Sequence, residues 1–395
     1  MQVPEGWSAN EIGDIATIFV GRDLLEEQYS EEKTSEHIYP IYSNTVENYG
    51  LYGYYNFPEY RIDAVTVVGR GIGLGTAFAR HSDAPFGAIG RLLVVSPKND
   101  SFDVDYFANY INFKLRIFNE SGGIPQLPGA SLAKYQVYLP PLKEQQKIAQ
   151  ILSTWDKAIT TTEQLLINSQ QQKKALMQQL LTGKKRLLDD NGQRFSGEWK
   201  ATQLGKIADM NSGGTPKSTV EEYYGGAIPW VSIADMTSSG KYITKTEKYL
   251  TEEGLKNSSA KIYPKYTVLY AMYASIGECS IASVELASSQ AILGIRPKAV
   301  LDYKYLYFYL VSLKEKIKLQ GQQGTQSNLN AGMVKEFNIL LPPLVEQQKI
   351  ATVLTAADQE ITQLQQKLDQ LKQEKKALMQ QLLTGKRRVK VEEVA

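Results

Sequence analysis

Two stretches of the chain place their key residues at alternating steps of four and three. One runs Ile148, Leu152, Trp155, Ile159, Thr162, Leu166, Ser169, Lys173, Leu176 and Leu180. The other runs Ile350, Leu354, Ala357, Ile361, Leu364, Leu368, Leu371, Lys375, Leu378 and Leu382. Seven of ten positions are apolar in the first and nine of ten in the second, which is a coiled-coil seam rather than a broad amphipathic face. Each stretch follows a proline pair, ending at Pro141 or Pro343, with Glu144 or Glu346 in the first turn, where the helix dipole favours an acid. Each stops at a glycine, Gly183 or Gly385, with basic residues beyond it. The spacing predicts two helices of ~40 residues, each ~60 Å long. Ile148, Leu152, Trp155, Ile159, Ile350, Leu354, Ile361 and Leu364 are the expected coiled-coil residues, because two half-exposed seams are most economically buried against one another. The competing expectation is that each helix packs on its own domain.

Elsewhere the periodicity shortens. β-Branched and aromatic runs punctuated by glycine and proline, at 64–69, 90–96, 227–233, 266–273 and 290–296, read as strands. Helical spacing returns at 106–118 and 303–319. The mixture predicts α+β globular units.

These elements occur twice. Leu139-Pro140-Pro141-Leu142, Glu144 to Ala149 and Lys173 to Lys184 recur at Leu341-Pro342-Pro343-Leu344, Glu346 to Ala351 and Lys375 to Lys386, at a constant offset of 202. The preceding units also begin alike. Trp7 and Ile12-Gly13-Asp14-Ile15-Ala16 match Trp199 and Leu204-Gly205-Lys206-Ile207-Ala208 at an offset of 192, and between their ends the two units differ almost completely. The predicted organisation is a variable unit at 1–142, a helical spacer at 143–189, a second variable unit at 190–343, and a second spacer with a basic tail at 344–395. A pseudo-two-fold relation between the repeats would make the helices antiparallel.

Composition narrows the chemistry. The 395 residues include one cysteine, Cys279, and two histidines, His37 and His81, which leaves no intramolecular disulfide and no Cys- or His-based metal site. No apolar run approaches the ~18–20 residues that span a bilayer, and the first thirty residues lack a signal-peptide core. The expectation is a cytoplasmic protein with no membrane partner. The net charge of +2 conceals a first unit at −7 and a second at +3. Any nucleic-acid contact must therefore gather its cations on one face.

Catalytic motifs are missing. Gly69-Arg70-Gly71-Ile72-Gly73-Leu74-Gly75 departs from G-x-G-x-x-G and leads into Pro85 and Gly87, so it reads as a loop. Thr182-Gly183-Lys184 lacks the first glycine and the hydroxyl of a phosphate loop. Leu-Pro-Pro-Leu lacks the polar first residue of the Asn/Asp-Pro-Pro-Tyr motif that holds a target amine. The chain is expected to catalyse nothing by itself and to bind no metal.

The variable units offer polar and cationic loops instead. Ser212-Gly213-Gly214-Thr215-Pro216-Lys217 supplies small residues, a hydroxyl and a cation, a set suited to approaching a phosphate. Amides and hydroxyls of the loop carrying Gln323, Gln326 and Asn328 can meet base edges. In the first unit Arg70, Arg80 and Arg91 are the cationic candidates, with Gln126 at the position matching Asn328.

This tandem order, with Leu-Pro-Pro-Leu-x-Glu-Gln-x-x-Ile-Ala, a long helix and Leu-Leu-Thr-Gly-Lys in each repeat, resembles the specificity (S) subunit of type I restriction–modification enzymes. Ser212 to Pro216 with Ile228-Pro229-Trp230-Val231, Ala274 to Gly277 and Gly324 to Leu329 resemble that family's target recognition domain. The first unit departs, with Gly21-Arg22-Asp23 in place of Gly-Gly-Thr-Pro and Ile124-Pro125-Gln126 in place of the polar loop. The resemblance implies two globular α/β target recognition domains separated by a long antiparallel two-helix coiled coil. Each domain would read one half of a bipartite, asymmetric double-stranded DNA site, with the coiled coil as spacer. Two methyltransferase (M) subunits would dock on the helices and two restriction (R) subunits would complete the complex. S-adenosylmethionine, ATP and Mg would then belong to those partners, with no cofactor bound by this chain. The competing reading is a protein-binding scaffold with two ligand domains on a rod.

Overall fold

The computed structural model describes residues 3–117, 123–273, 275–322 and 329–391. The chain divides into two compact units, Met1–Glu163 with Gln366–Ala395, and Gln164–Gln365. Four helices organise them: α1 (Val104–Lys114), α2 (Leu142–Leu180), α3 (Tyr303–Gln322) and α4 (Leu344–Leu382). The seams at 148–180 and 350–382 are thus two helices of 39 residues, as their period requires. Among the described residues no helix is long and apolar enough to cross a membrane.

In the first unit, β1 (Ala16–Val20), β2 (Ala64–Val67), β3 (Ala77–Arg80) and β4 (Leu93–Pro97) form an antiparallel sheet in the order β1-β4-β2-β3. Val65, Val67, Leu93 and Val95 pack on Tyr106, Phe107 and Ile111 of α1. The alternate residues Ala64, Leu92 and Val94 pack on Phe86. Burial of both faces explains why these strands read as unbroken apolar runs. A smaller sheet holds Tyr29–Ser30, Leu51–Tyr55, Tyr39–Tyr42 and Gly87–Ala88.

The second unit repeats the plan with other residues. Its strands β5 (Ala208–Ser212), β6 (Val268–Ala271), β7 (Cys279–Ala282) and β8 (Ile292–Pro297) follow the order β5-β8-β6-β7, extended by Tyr242–Ile243 parallel to β7. Val268, Tyr270, Leu293 and Ile295 pack on Tyr305, Leu306 and Phe308 of α3. The run expected as a strand at 227–233 is the strand Tyr224–Val231, and Ile233 begins a short helix, Ile233–Ser239, because Ser232 and Asp235 form a capping box.

Each unit contains half of both long helices, and in each the halves run antiparallel. In the first unit Asp156 pairs with Lys375 at 2.5 Å and Glu163 with Lys372 at 2.7 Å. In the second, Ser169 donates to Glu360 at 3.1 Å and Lys173 pairs with Asp358 at 2.5 Å. The two lysines that interrupt the apolar seam therefore each meet an aspartate of the other helix, and the pairs are related by the offset of 202.

The ends of the seam do something different. Ile148 and Leu152 lie in one core cluster with Phe107 and with Leu382 and Leu383 of the last turn of α4 and just beyond it. Ile350 and Leu354 do the same with Tyr305, Leu180 and Leu181. The first turns of each helix thus pack on their own domain and on the other helix at once, so both packing expectations hold there. Trp155, Ile159, Ile361 and Leu364 are half-buried.

The repeated Leu-Pro-Pro-Leu-x-Glu-Gln has a geometric role in both copies. Gln145 donates to the Pro140 carbonyl at 2.9 Å and accepts from the Asp103 amide at 3.0 Å, while Asp103 caps α1 through the Tyr106 amide at 2.8 Å. Gln347 likewise donates to Pro342 at 2.9 Å and accepts from the Asp302 amide at 2.8 Å, with Asp302 capping the start of α3 at Tyr305. Such buried amides leave little room for substitution, because an unpaired one costs about 1–3 kcal/mol.

Candidate nucleic-acid interface

In the first unit, four loops meet at the end of the β2–β3 hairpin. The hairpin turn at 69–76 reverses through Gly71, Gly73 and Gly75, each at φ +86°, a left-handed setting that glycine adopts without a Cβ clash. The sequence reading of this stretch as a loop fits, since β3 and no helix follows it. Asn44 joins three of the loops: its carbonyl oxygen accepts from the Gly69 amide at 2.8 Å and its amide donates to the Gly90 carbonyl. The fourth arrives through Arg70 and Gln126, which face each other in an isolated antiparallel bridge, and through Leu127, whose amide donates to Gly69 at 2.8 Å.

Arg70, Arg91 and Gln126 are therefore brought together. Arg91 is exposed, at φ +67°, with its amide bonded to the Gly21 carbonyl at 3.1 Å. Next to it the Gly90 amide bonds to the Arg22 carbonyl at 2.8 Å. The Arg22 side chain is 82% exposed and 3.7 Å from Glu59. Two arginines, a third nearby, and amides at hand form a surface able to hold phosphate oxygens and reach base edges.

Arg80 does not join them. It is only 9% exposed, because β3 turns it into the protein. Its guanidinium stacks 3.4 Å from the centre of the Tyr42 ring, and it donates to Thr66 Oγ1 at 3.1 Å and to the Tyr49 carbonyl at 2.6 Å. Burial lowers its pKa to about 10, so it stays charged at neutral pH.

The second unit shows the same convergence. Gly277, at φ +83°, turns the β6–β7 hairpin, and exposed Ser275 sits in that turn. The Met272 amide bonds to Ala291 at 2.9 Å, and the Leu329 amide bonds to Met272 at 3.1 Å. Leu329 thus meets the turn that carries Ser275, and Gln323, Gln326 and Asn328 lie outside the described residues.

Gly213 and Gly214 have a packing role. Both are buried, and a Cβ on either would collide with the backbone of Ser288 or of Ser259 and Ala260. The Trp230 indole donates to the Gly214 carbonyl at 2.9 Å. Thr215 and Lys217, just beyond, are exposed, and Thr215 lines a cavity of about 520 Å³ with Trp230, Tyr224 and Lys248. The close approach expected of these glycines is therefore to protein backbone, while the hydroxyl and cation face outward.

Sequence reasoning misses Asn44, Arg22 and Lys241. Asn44 carries no motif; its role comes from bonds to residues far along the chain. Lys241 pairs with Asp358 of α4 at 2.8 Å and lies 4.2 Å from the Phe308 ring, fastening the second domain to its helix. Burial lowers its pKa, a shift opposed by the Asp358 carboxylate.

Comparison with known proteins accords with this arrangement. The family described as type I restriction modification DNA specificity domain matches residues 4–169 and 196–373. The chain is 35% identical over 164 residues to the type I restriction enzyme MjaIX specificity subunit of Methanocaldococcus jannaschii, covering 41% of this chain and 38% of that protein. It is 25% identical over 414 residues to the MjaVIII specificity subunit of the same organism, covering 99% and 95%. The first of these similarities spans only about two-fifths of its relative, whereas the second is nearly full length. The crystal structure of a type I restriction–modification S subunit from M. genitalium has the same fold, with a TM-score of 0.63 at 15% identity over 97% of this chain and 98% of that one. With recurring domain plans, loop clusters at matching places and a family match over most of its length, the chain belongs to the type I restriction–modification DNA specificity domain family and carries that domain twice.

Proposed function

We propose that the chain is the DNA sequence-specificity subunit of a type I restriction–modification complex, each domain reading one half of a bipartite, asymmetric site on double-stranded DNA. The observation that carries this reading is the pair of loop clusters at the ends of the β2–β3 and β6–β7 hairpins. Their positions match, while the residues they present differ: Arg70, Arg91 and Gln126 in one domain, Ser275 in the other. Equivalent surfaces with different side chains suit two different half-sites on one kind of ligand. Thr215, Lys217, Gln323, Gln326 and Asn328 are further candidates for contacts with the second half-site. Arg80 acts from beneath the first.

The helices set the spacer between half-sites and dock two methyltransferase subunits, and two restriction subunits join in the full complex. S-adenosylmethionine, ATP and Mg belong to those partners, and this chain is non-catalytic, works in the cytoplasm and binds no cofactor. Recognition centres one helical turn apart lie ~34 Å from each other on B-DNA, within the span of helices ~60 Å long.

The test is salt-dependent binding of the chain with its methyltransferase subunits to duplex DNA, together with sequencing of methylated adenines in cells carrying the system. One bipartite methylated motif is expected. Absence of any sequence-specific complex would sink the reading in favour of a protein-binding scaffold, and cofactor turnover by the isolated chain would refute its non-catalytic role.

A further inference from the structure

One loop of the first cluster is held in an unfavourable conformation by a buried cation. Asn48, Tyr49 and Gly50 take successive φ angles of 45°, 55° and 88°. Asparagine and glycine adopt this left-handed region readily, whereas in tyrosine the Cβ crowds the following carbonyl. Burial does not offset the strain, because Tyr49 is 70% exposed. Its ring meets the protein edge-on at Phe78, 5.9 Å between centres.

What holds the residue is Arg80. Its Nη2 donates to the Tyr49 carbonyl at 2.6 Å, and its guanidinium lies between Tyr42 and Phe78. No acidic side chain pairs with Arg80 among the described residues. A buried guanidinium without a counter-charge is a poor way to stabilise a fold, since desolvation opposes it. Strain at an exposed aromatic, maintained by an uncompensated buried cation, points to function at that aromatic. The same loop carries Asn44, which joins it to the turns bearing Arg70 and Arg91, and a Cβ on Gly73 would strike Val46 of this loop.

We propose that Tyr49 is a specificity-determining residue that reads a base pair of the half-site bound by the first domain, and that Arg80 is a positioning residue that presents Tyr49 without touching DNA. This rests on the reading of the chain as a DNA specificity subunit. The tyrosine ring can pack on a thymine methyl while its hydroxyl bonds to a base edge. The second domain has the helix Ile233–Ser239 after its corresponding strand, so the effect belongs to one half-site.

The test uses the full chain assembled with its methyltransferase subunits. Tyr49→Asn keeps a residue that tolerates the left-handed backbone and removes the ring; Arg80→Met removes the cation. Each variant is assayed for binding to single-base variants of both half-sites and across a salt series. Tyr49→Asn is expected to lose discrimination on the order of tenfold at one or two neighbouring base pairs of one half-site. The other half-site and the slope of log affinity against log salt are expected to stay unchanged. Arg80→Met is expected to lose discrimination at the same base pairs, again with an unchanged slope. Full discrimination by Tyr49→Asn would overturn the proposal, and that variant decides the matter if Arg80→Met fails to fold. A slope reduced by about one phosphate contact in Arg80→Met would also overturn it, by placing Arg80 on the DNA. Loss of sequence preference in the parent protein at both half-sites would instead be the failure of the broader reading.

Discussion

Glu144 accepts two hydrogen bonds from Arg388, at 2.7 Å from Nε and 2.6 Å from Nη2, across 244 residues of chain. The second repeat makes the same fork: Arg186 donates to Glu346 at 2.6 and 2.7 Å. Both carboxylates are buried, at the start of a long helix, and each arginine lies just past the end of one. A fork of this kind is directional as well as charged, which fixes how one helix begins against the end of the other.

Removing either arginine leaves a buried carboxylate without its counter-charge. Arg186 keeps 21% exposure against 43% for Arg388, so solvent screens the second pair more. Arg186→Ala is expected to destabilise its unit by about 3 kcal/mol, and Arg388→Ala by about 2 kcal/mol after that screening. Thermal unfolding of the two variants checks both the loss and its order. Negligible losses would show that the forks form without contributing to stability, and equal losses would overturn the order expected from solvent screening.

The two equivalent tryptophans make a sharper contrast. The Trp199 indole donates to Glu346 at 3.0 Å, whereas the Trp7 indole is buried with no partner among the described residues. Trp199→Phe is expected to cost about 1.5–3 kcal/mol, the range for a hydrogen bond to a charged group. Trp7→Phe removes an unsatisfied donor and is expected to be neutral or slightly stabilising. Denaturant midpoints at constant slope give the comparison directly, and a larger loss at Trp7 would contradict it.

Cys279 offers a probe of the second unit's core. It opens β7, buried in the cluster with Tyr270 and Tyr309, and burial pushes its thiol well above the ordinary range. Alkylation at pH 8 is expected to run on the order of a hundredfold slower than for an exposed cysteine, and to become fast once denaturant opens the sheet. Rapid labelling of the folded protein would show that β7 opens readily.

How much of the fold and of the interface is legible in the sequence depends on how local the cause is. The long helices are plain because heptad spacing, a proline start and a glycine stop all act within a few residues. The strands near Val65 and Val94 are plain because both faces are buried. The strand ending at Val231 stops two residues short of its expected end because the Ser232–Asp235 capping box competes with a run of apolar residues. At the candidate interface, Arg70 and Gln126 stand in glycine-rich loops that the sequence marks, but Arg80, a cationic candidate in the sequence, lies inside. Its direction is set by strand register against Ala64, and by rings at Tyr42 and Phe78, which no local signal announces. Asn44 escapes for the same reason.

The constant offset between the repeats has a mechanical consequence. Along the antiparallel pair, Asp156 meets Lys375 and Lys173 meets Asp358, so register is set on both sides of the middle of each helix. Four residues added to α2 alone, after Leu165, lengthen it by about 6 Å and leave one of these ion pairs out of reach. Four residues added after both Leu165 and Lys367 keep all of them. The double insertion is therefore expected to fold with a melting temperature near that of the parent, and the single insertion to lose stability. If the helices measure DNA, the double insertion also lengthens the nonspecific spacer of the methylated motif by about one or two base pairs, taking ~3.4 Å per pair, with both half-sites unchanged. Methylome sequencing distinguishes the outcomes: altered half-site bases would mean that the helices shape base reading as well as distance, and an unchanged spacer would mean that they do not measure it.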